Sequence, residues 1–438
     1  MIDHSRRNAL RVLSAATAAA AGGTLVSRSP AADLKSTPEA GAELRVLRWK
    51  RFVQGDEDQW MANTRKFTEL TGVNVRVDSE NFEDIRPKAA VAANVGSGPD
   101  IVMGWFDDPH LYADKVHDLT DLADYLGGKY GGWYDIVKRY CLHDGRWIAV
   151  GMGILGGCIT YRRSMVEAAG FKEIPSDLPS FLKLLQALKA KGTPCGFALG
   201  NAVGDANAWC HWVVWAHGGR MVDENNKVVI NSKETVAALE YAKAMYATFI
   251  PGTLSWLDPS NNKAFLAGEI SLTLNGISIY YVAKTSKDAA VKALTSDIYH
   301  AHLPIGPVGR ATELNVFTPG FVFKFTKYPN AAKEYLRFML EKEQYEAWQK
   351  SSLGYVQQTL KAYRSNPVWT EDPKHTPFRD IPDRTLDDGF AGRLGAASAG
   401  VMADYIMVNM VAEAASGASS PADAAAKAER RARRYYRT

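Results

Sequence analysis

Cysteine is scarce in this chain of 438 residues: four in all, Cys141, Cys158, Cys195 and Cys210, with no CxxC pair. That excludes a zinc ribbon or a thioredoxin-type redox centre, and a chain of this length buries a sufficient core without disulfide staples, so the cysteines are expected to be structural. HExxH and GxSxG are absent as well. His110 with His117, His211 with His217, and His300 with His302 reproduce no metal-ligand spacing. Nothing among the abundant carboxylates singles out a glycosidase pair. No strongly apolar run reaches the ~20 residues of a membrane span. Charge of one sign is lacking too, with 52 Lys and Arg against 48 Asp and Glu. Of the net +4, the first 32 residues hold +3 and the segment after Ser420 another +4, so the body is acidic by three and a nucleic-acid surface is unsupported.

What is present begins with Ser5-Arg6-Arg7-Asn8-Ala9-Leu10-Arg11 and an uncharged, Ala-rich run from Val12 to Val26. Paired arginines before a weakly apolar stretch, ending near Ser29-Pro30-Ala31-Ala32, resemble a twin-arginine export signal. Residues 1–32 are therefore expected to be removed. No cysteine stands at the end of the signal to take a lipid, so a free periplasmic protein is expected. The remaining residues, about 400, imply two lobes, and no low-complexity linker divides them.

Leu44–Trp49 alternates like a strand, and Gln59 to Leu70 has helical spacing before a Thr71-Gly72 stop. Val73–Val77 reads as a strand, Arg86–Val95 as a helix and Asp100–Met103 as a short buried strand. This is the α/β, doubly wound pattern, whose ligands sit beyond the carboxyl ends of the strands. Trp49, Glu80-Asn81 and Trp105-Phe106-Asp107 then share a rim. Downstream, Val166–Ala169, Leu178–Lys191, Thr235–Thr248 and Asn330–Lys350 read as helices of a mainly helical second lobe. Ser420-Pro421-Ala422-Asp423 starts a last helix with a capping box, and its basic tail reads as a solvated face.

Gly98-Pro99-Asp100-Ile101-Val102, Asp144-Gly145-Arg146-Trp147-Ile148-Ala149-Val150 leading to Cys158–Arg163, Ala264–Gly276, Pro329–Leu336 and Gly354-Tyr355-Val356 follow one another in an order that resembles the extracellular solute-binding proteins, family 1, of ABC sugar importers. The resemblance covers nearly the whole chain after residue 32. It implies a periplasmic-binding-protein-like fold of two lobes with doubly wound sheets, a three-strand hinge and a cleft. It places crossings near Met152, Asn275 and Gly320, hence lobes of 33–152 with 275–322 and of 153–274 with 323–438. It implies a monomer that captures a small carbohydrate or polyol and delivers it to a membrane permease, with no catalytic residue, metal or cofactor. At Gly151 the maltose-binding member carries a carboxylate, so maltose itself is not implied.

Sugar pockets pair flat aromatic faces with planar polar groups. Asp107 falls where the family places a sugar-hydroxyl acceptor, and Asp107-Asp108-Pro109 would equally start a helix. Trp49 and Trp105 lie at the rim or in the core. Trp209 is the cleft-facing candidate of the helical Asn207–Trp215 segment, and Trp256 that of a loop. Asn275 and Gly320 are expected on the cleft floor, and Asn81, Tyr355 and Arg393 complete the candidates. A competing motif is Gly151-Met152-Gly153-Ile154-Leu155-Gly156, a GxGxxG that would bind NAD(P) in an exported sugar oxidoreductase if a helix began inside the glycines. The extended run onward through Tyr161 favours a strand.

Overall fold

The computed structural model describes residues 36–437, and the expected export signal lies outside them. Among the described residues ten strands are formed: β1 (Glu43–Trp49), β2 (Asn74–Glu80), β3 (Ile101–Met103), β4 (Leu142–His143), β5 (Arg146–Trp147), β6 (Val150–Leu155), β7 (Cys158–Arg162), β8 (Leu272–Asn275), β9 (Ile298–Ala301) and β10 (Val316–Val322). The first five elements follow the periodicity of the sequence. β1 leads into α1 (Gln54–Thr71), which stops at Gly72 in the left-handed region (φ 75°). After β2 comes α2 (Ile85–Val95), closed in the same way by Gly96 (φ 73°). A left-handed residue costs glycine little, so both helix ends are fixed by a single residue type.

The first sheet has the order β2-β1-β3-β10-β6. β1 pairs in parallel with β2, from Glu43 opposite Asn74 to Trp49 opposite Glu80, and with β3. β10 runs antiparallel to β3 and β6, with a bulge at Thr318/Pro319 where proline can be tolerated inside a sheet. The second sheet, β8-β7-β9, is three antiparallel strands rather than a second doubly wound sheet. β4 and β5 pair as a separate two-stranded sheet, and two hydrophobic cores are formed. The first gathers β1, β3 and β10 with α1 and the helices Pro329–Met339 and Lys342–Ser351; the second gathers the helices Leu178–Ala190, Asp205–Ala216, Lys233–Tyr246, Ile406–Ser416 and Pro421–Ala432.

The passages between sheets differ from the expected ones. Met152 lies within β6 and Gly320 within β10, both in the first sheet, while Asn275 ends β8 of the second sheet opposite Cys158. The chain instead leaves the first sheet at Gly156-Gly157, returns between β9 and β10, and leaves again between Ile381, in the first core, and Val401, in the second. The GxGxxG run is β6 itself: no helix starts in it, and β-carbons at Gly151 and Gly153 would stand 2.6 Å from Val137 and 2.3 Å from Val356. These glycines admit neighbouring side chains, not a pyrophosphate.

The expected helix over Asn330–Lys350 is broken at Leu340-Glu341. Glu341 is extended (φ −68°, ψ 149°) and its carboxylate takes bonds from Lys129, Tyr130 and Arg337. Ser420 caps the last helix by accepting from the Asp423 N–H (3.1 Å), and that helix packs by Ala424, Ala425 and Ala428 with its arginines outward. His300 is buried in β9. All four cysteines are buried thiols.

Candidate functional site

The carboxyl ends of β1, β2 and β6 and the start of β10 face the second sheet across a pocket. From the first side Phe52, Phe82, Leu155, Val316 and Tyr355 line it; from the second, Gly204, Asp205, Asp258, Asn275 and Ser278. Outward, between Asn81 and Phe82 on one wall and Leu257, Asp258 and Asn262 on the other, it widens into a cleft of about 450 Å³. That volume is within the ~300–1,000 Å³ of small-molecule sites.

Three aromatic rings and two carboxylates dominate the chemistry. Phe52 and Phe82 meet edge to face at 5.5 Å, and Phe82 stacks on Trp105 at 4.4 Å. Asp258 lies at the N-terminus of the helix Asp205–Ala216 and accepts from the N–H groups of Asp205 (2.7 Å) and Gly204 (3.1 Å), so its charge faces the positive end of the helix dipole. Burial nevertheless pushes it up to about 6. Burial, and then the charge of Asp258, push Asp205 well above the carboxylate range. Two such groups hold one proton more readily than two charges. Asn261 donates to Asp205 at 2.6 Å. Asn275, Asn262 and Ser278 form a closed polar ring, with Ser278 donating to Asn275 (2.8 Å) and Asn262 to Ser278 (2.9 Å). Burial and the nearby charges of Asp56, Asp258 and Asp205 raise the Tyr355 phenol, which keeps it a neutral donor.

Of the residues singled out from the sequence, Asn275 and Tyr355 line the inner pocket and Asn81 the outer cleft. Trp49 and Trp105 lie one layer behind Phe82: their rings are 5.3 Å apart, and the indole N–H groups go to Asp56 (3.0 Å) and to the Phe82 carbonyl (3.0 Å). Trp209 is in the second core, donating to the Ala198 carbonyl at 2.6 Å. Trp215, six positions on, faces the other way, 5.7 Å from Phe390. Trp256 is half-buried on Gly196, where a β-carbon would lie 2.7 Å from its ring, and its neighbours Leu257 and Asp258 reach the cleft instead. Gly320 makes room for Met152 and Leu336, not for a ligand. Arg393 is exposed beside Asp135, His143 and Asp144, apart from this pocket. Phe52, Phe82, Asp205, Asp258 and Ser278 were not among the candidates. Asp258-Pro259 carried a signal, since an acid before proline marks a helix start; here Asp258 opens the helix Asp258–Leu266 while its carboxylate takes the N–H groups at the start of Asp205–Ala216 and faces the pocket.

Asp107 caps no helix. It is fully buried, accepts from Ser398 Oγ (2.5 Å) and opposes Asp388, whose carboxylate oxygens have no hydrogen-bond partner. Burial, then Asp388, raises Asp107 well above the usual range, and burial raises Asp388 to about 7. Free aspartates titrate near 3.9, so between about pH 4 and 7 the folded chain binds the more protons, and folding stability falls as pH rises. The dyad therefore favours pH 5 over pH 7.5, while the buried and half-buried histidines, lowered by desolvation, favour the higher pH, so Asp388→Asn should move the difference in melting temperature between pH 5 and pH 7.5 toward the higher pH. An unchanged difference in the variant would remove the dyad as its source.

Among the described residues no cluster of three or more His, Cys, Asp and Glu is disposed to hold a metal, and no helix is long and apolar enough to cross a membrane. Residues 62–377 match the family model described as bacterial extracellular solute-binding protein. The chain belongs to this family of binding proteins. Its two-lobed fold is shared with solved binding proteins. The maltose-bound MalE3 of T. maritima is 19% identical, with a TM-score of 0.76 over 90% of this chain and 99% of that one. The GacH receptor of Streptomyces glaucescens is 18% identical (TM-score 0.75; 91% and 99% covered). A solute-binding protein of Agrobacterium radiobacter K84, in complex with ribitol, is 16% identical (TM-score 0.72; 90% and 98%). No curated protein sequence matches the chain.

Proposed function

We propose that this solute-binding protein captures a small neutral carbohydrate or polyol in the cleft between its lobes and delivers it to the transmembrane subunits of an ABC importer. The observation that carries the reading is the convergence of Phe52, Phe82 and Tyr355 with Asp205, Asp258 and Asn275 on one pocket: ring faces for C–H surfaces, and planar acceptors for hydroxyl donors. The ligands bound by the structural neighbours, maltose and ribitol among them, are of this class. Ligand that touches both lobes stabilises the closed form over the open one, which is the signal a permease reads. The chain does this without catalysis and as a monomer.

The lobes that fit this reading are residues 36–155 with 316–381, and 158–301 with 396–437. The protein works in the periplasm after twin-arginine export of its folded form; replacing Arg6 and Arg7 by lysine should leave the precursor in the cytoplasm, and continued export would remove that route. The function is tested by denaturing the purified chain to strip co-purified ligand, refolding it, and screening sugars, polyols and nicotinamide nucleotides by thermal shift. A ligand at 100 times its Kd stabilises by about 2.7 kcal/mol. A carbohydrate or polyol should raise the melting temperature; a shift with a nicotinamide nucleotide and with no carbohydrate would overturn the reading.

A further inference from the structure

The three passages between the sheets meet at one side chain. Asn315 immediately precedes β10 and is buried. Its Oδ1 accepts from the Gly157 N–H at 3.0 Å, and its Nδ2 donates to Thr385 Oγ1 at 2.8 Å. Gly157 is on the first passage, Asn315 on the second and Thr385 on the third. The orientation of the amide is set by chemistry, because a backbone N–H demands the oxygen; the Thr385 hydroxyl spends its own hydrogen on the Ile381 carbonyl (2.8 Å) and so accepts. Flanking bonds complete a belt: Gly156 N–H to Gln357 Oε1 (2.6 Å), Leu386 N–H to the Glu313 carbonyl (2.7 Å), and Arg384 Nε to Glu313 Oε1 (2.7 Å). At Gly156 a β-carbon would stand 2.5 Å from Ile381 and 2.9 Å from the Asn315 oxygen, so the passage lies against the clip with no room to spare.

We propose that Asn315 is a positioning residue that ties the three inter-lobe passages into one pivot, so that they bend together when the lobes move. This rests on the reading above that the lobes close on a ligand. A buried amide with both ends paired is disrupted as a unit: without it, Gly157 loses its acceptor, Thr385 its donor, and the passages flex independently. The neighbouring belt bonds then open more often although their own partners are untouched.

The test is native-state hydrogen exchange on the ligand-free refolded chain, comparing wild type, Asn315→Leu and Thr385→Val. Gly157 exchanges faster in Asn315→Leu for the trivial reason that its acceptor is gone, so the decisive amides are Gly156 and Leu386. In Asn315→Leu both should exchange about tenfold faster, the effect of one typical net hydrogen bond, while amides within β1 and β7 keep their protection. In Thr385→Val, which removes only the third passage from the clip, Leu386 should accelerate and Gly156 should not. Wild-type rates at Gly156 and Leu386 in a folded Asn315→Leu overturn the pivot. If Asn315→Leu does not fold, Thr385→Val alone decides, and an unchanged Leu386 overturns the proposal. Acceleration spread uniformly over both lobes assigns Asn315 to general stability and also overturns it. Because no ligand is used, failure of lobe closure appears separately, as an unchanged scattering radius of wild type saturated with a carbohydrate or polyol that raises its melting temperature.

Discussion

Asp56→Ala should remove about 3–5 kcal/mol of folding stability, the range for stripping one partner from a buried ion pair. The Arg48 and Asp56 side chains are both fully buried. Asp56 Oδ1 accepts from Arg48 Nη2 (3.0 Å) and Trp348 Nε1 (2.7 Å); Oδ2 accepts from Arg48 Nη2 (2.8 Å) and Trp49 Nε1 (3.0 Å). The guanidinium is held between the rings of Trp49 (4.4 Å) and Trp60 (4.7 Å). Alanine leaves a buried cation without a counter-charge and two indole N–H groups without acceptors, while the tryptophan faces cannot replace an anion. A urea or thermal melt followed by tryptophan fluorescence measures the loss directly. A variant that melts within a degree of wild type would show that water reaches Arg48, and that β1, α1 and Lys342–Ser351 are not joined by this pair.

Asp205→Asn should act in two opposite directions. Its charge is unfavourable in the empty pocket, because burial and Asp258 both oppose it, so the neutral amide should leave the ligand-free protein as stable as wild type or more so at neutral pH. A bound hydroxyl that donates to Asp205 favours its ionised form, and a hydrogen bond to a charged group is worth about 1.5–3 kcal/mol against about 1 kcal/mol for a neutral one, so affinity for the sugar or polyol found by screening should fall roughly 2- to 30-fold. Loss of affinity with unchanged or raised apo stability is the signature of a residue kept for binding. Trp209→Ala is the converse, an excavation of the second core costing about 3–5 kcal/mol with the pocket lining untouched. Calorimetry and thermal melts on the two variants separate the cases, and an Asp205→Asn protein that is destabilised yet binds normally would move Asp205 out of the site.

The early elements were legible because their signals are local. Alternation in β1, helical spacing in α1 and α2 and the stops at Gly72 and Gly96 each depend on a few consecutive residues. The break at Glu341 depends on Lys129 and Tyr130, more than two hundred positions away, and no periodicity carries that. The same holds for Leu272–Asn275, where only the pairing with Cys158–Tyr161 says which sheet receives the strand. At the site, the strand-end rule led to the rim that borders the pocket, but Phe52 and Phe82 line it where Trp49 and Trp105 were named. Trp49 and Trp105 are large enough to be drawn into the layer behind, and Phe82, next to the named Asn81, presents its face to the cleft. The tryptophan helix held a similar ambiguity, since Trp209 and Trp215 lie six apart on different faces of one helix, and only the packed structure says which core takes each.

The central claim is that a carbohydrate or polyol is bound between the lobes and closes them. The most direct measurement is small-angle scattering of the refolded chain, alone and saturated with the ligand found by screening, at matched protein concentration. The account predicts a smaller radius of gyration on saturation, with one ligand bound per chain. A radius that does not change when that ligand is fully bound would contradict it.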